Sequence, residues 1–164
     1  MERLIEYVQK KHHSIQHHYK SIAYRFATAF GSSPRLRLDL LINDLTYLAV
    51  SQKYMLVYQP EFIRTFIHIK DLVKSFIFGI ENVDKMAGEI YNIGSKKLNH
   101  TKREVCEMIK ERTGCVVYYN DFDSDKDHRD YEVSYDKITA LGFDTTITLE
   151  EGIDELVKVY EILN

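Results

Sequence analysis

The chain has 164 residues, 45% hydrophobic and 29% charged, with a formal net charge of -3. That is one ordinary domain's worth of chain, long enough to bury a sizeable core, and its composition excludes a disordered polymer. The charge offers no bulk attraction to nucleic acid or an anionic membrane, and no apolar run approaches the roughly 20 residues that span a bilayer.

The opening "MERLIEYVQKK" is charged and amphipathic rather than signal-like, with Leu4, Ile5 and Val8 on one helical stripe to about Lys11. A polar segment, "HHSIQHHYK", follows. "SIAYRFATAF" is rich in aromatic and β-branched residues and stops at Gly31-Ser-Ser-Pro34, which predicts one strand. Leu41, Leu45, Leu48 and Ala49 predict a helix from Asp39 to about Gln52, and "YMLVYQ" and "FIRTFIHI" read as two further strands.

Asp71 is placed to cap the next helix, whose Leu72, Val73, Phe76, Ile77 and Ile80 are expected to face the core. "GEIYNIGS" is a short strand ending at Gly94. Thr101 and Glu104 form a Thr-x-x-Glu capping box before Val105, Met108 and Ile109. The strand "CVVYYN" leads into an acidic loop, "DFDSDKDHRD". A helix near Tyr135 to Leu141 is expected to end on Gly142. Thr148 and Glu151 make a second capping box, followed by Ile153, Leu156, Val157 and Tyr160 at helical spacing. Alternating strands and helices define an α/β class.

Several side chains carry chemistry. Arg64, Phe66 and His68 alternate with Ile63, Thr65, Ile67 and Ile69, so an apolar face can be buried while Arg64 forks two donors onto a phosphate. His68 reads as structural, holding a strand-to-helix corner. An amide such as Asn43 both donates to a phosphate and accepts from a sugar hydroxyl. Arg35 and Arg37 add positive charge on the loop before it. Tyr7 and Lys11 spell Tyr-x-x-x-Lys, a phenol and an ammonium one helical turn apart. His12, His13, His17 and His18 lack the carboxylate or Cys that would complete a metal site, and no metal is expected. Cys106 and Cys115 are too few for a disulfide framework, as in a reduced, cytoplasmic protein.

In order along the chain, "RFATAFG", "SPRLRLDLLIND", "IRTFIHIKDLVKSF", "GEIYNIGS", "DHRDYEVSYDKITALGF" and "TLEEGIDEL" resemble the C-terminal half of the extended short-chain dehydrogenase/reductase family, the NAD-dependent nucleotide-sugar epimerases and dehydratases. The resemblance implies the last strands of a Rossmann-like NAD-binding fold interleaved with a smaller sugar-nucleotide-binding subdomain over residues 21–164, after a helix and His-rich loop over 1–20. It implies a nucleotide-diphosphate sugar held by Arg64 and Phe66, by Asn43 and Leu45, by Arg35, and by Asp127 and Arg129 of "DKDHRDY", where Arg reaches phosphate and Asp the ribose. Ala27 stands where many relatives carry a substrate-facing Asn.

The family's glycine-rich turn, which sets the cofactor pyrophosphate on a helix N-terminus, has no counterpart among the seven glycines. The NAD or NADP site is therefore expected largely outside this chain, with activity dependent on an N-terminal Rossmann half. "MERLIEYVQKK" fits the helical stretch that follows the family's catalytic Lys. Tyr7 and Lys11 are then a spacing coincidence, and no catalytic residue is assigned. Without such a half, apolar edges on "SIAYRFATAF" and "GEIYNIGS" are expected to seek a partner chain or self-associate. The alternative is a non-catalytic module that binds a nucleotide sugar or a protein.

Overall fold

The computed structural model describes residues 20–120 and 132–163. The expected N-terminal helix, the His-rich segment, Tyr7, Lys11, Asp127 and Arg129 lie outside the described residues.

"SIAYRFATAF" forms two strands rather than the expected one: β1 (Ala23–Phe26) and β2 (Thr28–Phe30), broken at Ala27. The Ala27 N–H still donates to the Ile93 carbonyl at 3.0 Å, and beyond it the chain changes partner. β1 runs parallel to β5 (Ile90–Ile93), in register from Ala23↔Ile90 to Phe26↔Ile93. β2 runs parallel to β4 (Ile63–His68), whose other edge pairs antiparallel with β6 (Asn99–Thr101). A third sheet pairs β3 (Tyr54–Tyr58) with β7 (Val116–Asn120), again parallel. Parallel pairs need long crossovers, which gives the α/β architecture expected from the alternating pattern.

Helix α1 (Leu41–Ser51), α4 (Lys102–Thr113) and α6 (Leu149–Leu163) pack around one core with Met55 and Val57 of β3 and Phe66 of β4. A second core gathers Ala27, Ile67, Met86, Tyr91, Ile93, Tyr135, Ile138 and Phe143. The neighbours Phe66 and Ile67 thus point into different cores, and β4 is the wall between them. The expected strand with one buried face is buried on both, leaving Arg64 only 7% exposed.

Both capping boxes form. Glu104 N–H donates to Thr101 Oγ1 at 3.1 Å, with the Thr101 N–H returning to the Glu104 carboxylate at 2.8 Å, and α4 ends on Gly114 in the left-handed region. Thr148 and Glu151 exchange the equivalent bonds at 3.2 and 2.9 Å before α6.

Helix α2 (Ile69–Glu81) departs from expectation twice. Its N-cap is His68, whose Nδ1 accepts from the Lys70 N–H at 3.3 Å, and Ile69 belongs to the helix rather than to β4. Asp71 is buried, accepting from the Thr146 N–H and Oγ1 and the Ile147 N–H at 2.8 to 2.9 Å, so it staples a distant loop instead of capping. The buried stripe is Asp71, Ser75 and Gly79, whereas the expected core residues Val73, Phe76, Ile77 and Ile80 are exposed. The reason is close approach. Tyr24 Oη donates to the Ser75 carbonyl at 3.1 Å, and a Cβ on Gly79 would lie 1.9 Å from Tyr24 Oη. The short helix α3 (Val83–Met86) then leads to β5. Helix α5 (Asp136–Thr139) is shorter than expected: Ala140 is its C-cap, and Gly142 takes its positive φ two residues later.

Gly79→Val should therefore cost roughly 1–3 kcal/mol of stability through overpacking against Tyr24. Ile80→Gln, on the exposed stripe, should stay within about 0.5 kcal/mol of the parent. Urea midpoints of the two variants check the orientation of α2.

Candidate functional site

The candidate residues gather around β4 and the loop between β2 and α1. At one end of β4, Arg64 stands opposite His100 of β6, and its guanidinium donates to the Ile63 carbonyl at 3.1 Å. Beside it Lys102, buried at the start of α4, donates its ammonium to the Tyr58 carbonyl at the end of β3, at 3.0 Å. Tyr58 pairs with Asn120, the last described residue before the acidic loop. The ends of β3 and β7, the start of β4 and the start of α4 thus converge on two buried cations. Arg64 was legible in the sequence; Lys102 was not, because a Lys following a Thr cap reads as a solvated first-turn residue.

The loop before α1 is held by Asn43. Its Oδ1 accepts from the Gly31 N–H at 3.0 Å, and its Nδ2 donates to the Gly31 and Arg37 carbonyls at 3.3 and 3.0 Å. The expected ligand bonds of this amide are taken up by the chain itself, because the buried ends of β2 and the loop need a partner there. Leu45 and Phe66 are buried in the first core, behind the surface rather than on it. What Asn43 presents outward is the segment Arg35 to Asp39, which lines an open cleft of about 690 Å³. Arg37 is paired with Asp39 at 2.5 Å, which lowers the Asp39 carboxyl and leaves the exposed Arg35 as the loop's other cation.

At the far end of β4 sits a second polar cluster. The Glu155 carboxylate of α6 accepts from the Ser32 N–H and Oγ and from Lys70 Nζ, and lies 3.6 Å from His68 Nε2. Desolvation pushes Glu155 up, but the hydrogen bonds from Lys70 and Ser32 outweigh it and bring its pKa down to about 2. Burial lowers the His68 imidazole, with Glu155 opposing. A carboxylate so acidic is a poor base at neutral pH, and a fully buried imidazole meets no substrate, so the cluster is a fastening between α6, β2 and β4. His68 is structural, as its sequence context implied. No spacing rule could have linked residues 32, 68, 70 and 155.

Among the described residues no group of three or more His, Cys, Asp or Glu is arranged to hold a metal, and no helix is long and apolar enough to cross a membrane.

No protein-family model matches the chain. In sequence it is 31% identical over 104 residues to the dTDP-D-glucose 4,6-dehydratase of Mus musculus, a stretch covering 59% of this chain and 29% of that protein. In fold it superposes on the UDP-glucuronic acid 4-epimerase of Bacillus cereus, solved with UDP-glucuronic acid and NAD. The TM-score is 0.80 over 99% of this chain and 50% of that one, at 19% identity. On the dTDP-glucose 4,6-dehydratase of Bacillus anthracis, solved with NAD, the TM-score is 0.71 over 86% and 44% of the two chains, at 25% identity. The chain is related to the NAD-dependent nucleotide-sugar epimerases and dehydratases of the extended short-chain dehydrogenase/reductase family. It has their Rossmann-like α/β fold and resembles their C-terminal half, spanning about half the length of these solved relatives.

The polar fastening sets an acid limit. Glu155 is depressed, so its stabilisation is complete above the ordinary carboxylate value of 4.5 and is lost as pH falls toward about 2. His68, also lowered, has the same sign: its buried neutral form costs stability once pH drops below the ordinary imidazole range. Glu155→Gln should flatten the fall in stability between about pH 5 and about pH 2, read from urea midpoints across that range.

Proposed function

We propose that this chain is the substrate-binding portion of an NAD- or NADP-dependent nucleotide-sugar epimerase or dehydratase. It would hold a nucleotide-diphosphate sugar while hydride and proton transfer take place on a cofactor bound largely outside it. The observation that carries this reading is the superposition of nearly the whole chain on one half of an epimerase solved with both a UDP-sugar and NAD.

The chain's own residues supply the anion recognition. Arg64 offers a planar fork from a strand end that the two cores hold rigid, and Arg35 offers a second cation from the exposed loop that Asn43 fixes. A guanidinium matches a diphosphate with parallel charge-assisted hydrogen bonds. Leu45 and Phe66 form the apolar wall behind these groups. By the family resemblance, Arg129 would reach a phosphate and Asp127 the ribose; both lie outside the described residues. When bound, the nicotinamide supplies hydride chemistry; these residues bind and orient the sugar nucleotide for it. The glycine-rich turn for the cofactor pyrophosphate is to come from another α/β segment. Its absence here also favours a second reading, a module that binds a nucleotide sugar without turning it over.

Titration of the chain with UDP-glucose and dTDP-glucose should show saturable binding. Arg64→Gln should weaken it about tenfold or more, the loss of a charge-assisted bond. Because Arg64 is buried, the exposed Arg35→Ala serves as the variant that leaves folding untouched and should weaken binding in the same direction. Absence of any sugar-nucleotide binding would overturn the proposal. With NAD and a panel of UDP-, GDP-, CDP- and dTDP-sugars, the chain alone should give no epimerisation or dehydration. Measurable turnover would show that the cofactor site is complete within it.

A further inference from the structure

The sheet of β3 and β7 carries apolar residues on both faces. Met55 and Val57 point into the first core, with Val117 and Tyr119 packed against it. The alternate positions, Tyr54 and Leu56 of β3 and Val116 and Tyr118 of β7, are 48, 46, 52 and 57% exposed. The register sets Tyr54 beside Val116 and Leu56 beside Tyr118, so the four side chains form one block, two strands wide. Strands apolar at successive positions belong to parallel sheets covered on both faces, whereas a solvated face alternates to polar residues. Here the first core is one cover, and among the described residues the other is missing.

We infer that this face is an interface between two copies of the chain, stacked about a two-fold axis that lies between the sheets and runs along the strands. The inference is independent of the nucleotide-sugar reading. Two features of the block select a second copy. The first is shape. The tyrosines, Tyr54 and Tyr118, occupy one diagonal of the block, and the smaller Leu56 and Val116 occupy the other. Rotation about such an axis lays β3 over β7 of the partner, so Tyr54 meets the partner's Val116 and Leu56 meets the partner's Tyr118. Each large side chain then faces a smaller one, as a self-complementary isologous contact requires. Strand directions also agree across the contact, which is the aligned packing that twisted sheets adopt. The second feature is area. Four half-exposed side chains offer on the order of 400 Å² per copy, within the range of apolar patches that mark protein contacts. Two copies therefore bury on the order of 800 Å² from the block alone, which suits a reversible dimer rather than a permanent one.

Sedimentation of the full chain over a concentration series tests this. The average mass should rise from that of one chain toward that of two and stop there. Leu56→Glu and Tyr118→Lys should each weaken the dimer about tenfold or more, as for residues at the centre of an interface, while keeping the parent's urea midpoint. Ile80→Gln, on the exposed stripe of α2, should leave it unchanged. Because Leu56 faces the partner's Tyr118, an equimolar mixture of the Leu56→Glu and Tyr118→Lys chains should recover an association that neither shows alone. A parent chain that stays monomeric throughout the series would overturn the inference, leaving the face to a different protein or to another part of this chain. Association that survives both charge variants, or that Ile80→Gln abolishes, would overturn it by placing the contact elsewhere. A mixture no better associated than its components would overturn the two-fold stacking. So would an assembly that grows past two copies, because an isologous contact closes on itself.

Discussion

Strand β4 is buried on both faces, and the rest of the molecule is arranged around that constraint. Phe66 fills the core shared by α1, α4 and α6, while Ile67, one residue on, fills the core shared with β5 and α5. A six-residue strand that belongs to two cores has no face left for solvent, so its polar members must find partners inside the protein. His68 does so through Nδ1, which caps α2, while its Nε2 makes no hydrogen bond among the described residues and lies 3.6 Å from the Glu155 carboxylate. Thr65 and Arg64 sit in the ladder with β6, opposite Asn99 and His100. Any loss of β4 packing is therefore felt in both cores at once.

The corner after β4 shows how closely these parts approach. A Cβ placed on Gly152 of α6 would lie 2.3 Å from the Phe30 ring and 2.9 Å from the His68 ring, and one placed on Gly31 would lie 2.3 Å from the same imidazole. Three elements, the end of β2, the end of β4 and the start of α6, therefore share one small volume filled by two aromatic rings set edge to face at 5.2 Å. The Glu155 bonds to Ser32 and Lys70 close that volume from outside. Packing and polar contacts act here on the same three elements, which makes the geometry of the β2–α1 loop, and hence of Arg35, a consequence of the corner.

The local features of the fold were legible in the sequence because they are written within a few residues of one another. Both capping boxes needed only a Thr and a Glu three apart, and the α6 stripe needed only its period. What the sequence could not show was which side of an amphipathic helix faces the core. In α2 the apolar stripe is the obvious inward face by composition, yet the small residues Ser75 and Gly79 let the helix approach Tyr24 more closely than Phe76 or Ile77 could. The split of β1 from β2 at Ala27 was hidden for a related reason: the chain stays extended and merely changes partner. For the site, the type and place of Arg64 were readable, but not its burial or its neighbour Lys102. Asn43 had the right chemistry for a ligand and was claimed by the chain's own backbone.

These two outcomes, a rigid central strand and an outward apolar helix, bear on each other. The proposed diphosphate cation, Arg64, stands near the start of β4, and helix α2 follows directly on its last residue, His68. A strand of that length spans about 20 Å at roughly 3.3 Å per residue. Because β4 is clamped on both faces, the distance and orientation between Arg64 and the start of α2 are set by the fold rather than by a flexible joint. Catalysis by hydride transfer depends on such fixed placement of sugar and nicotinamide, since small misplacements of reacting groups cost large factors in rate.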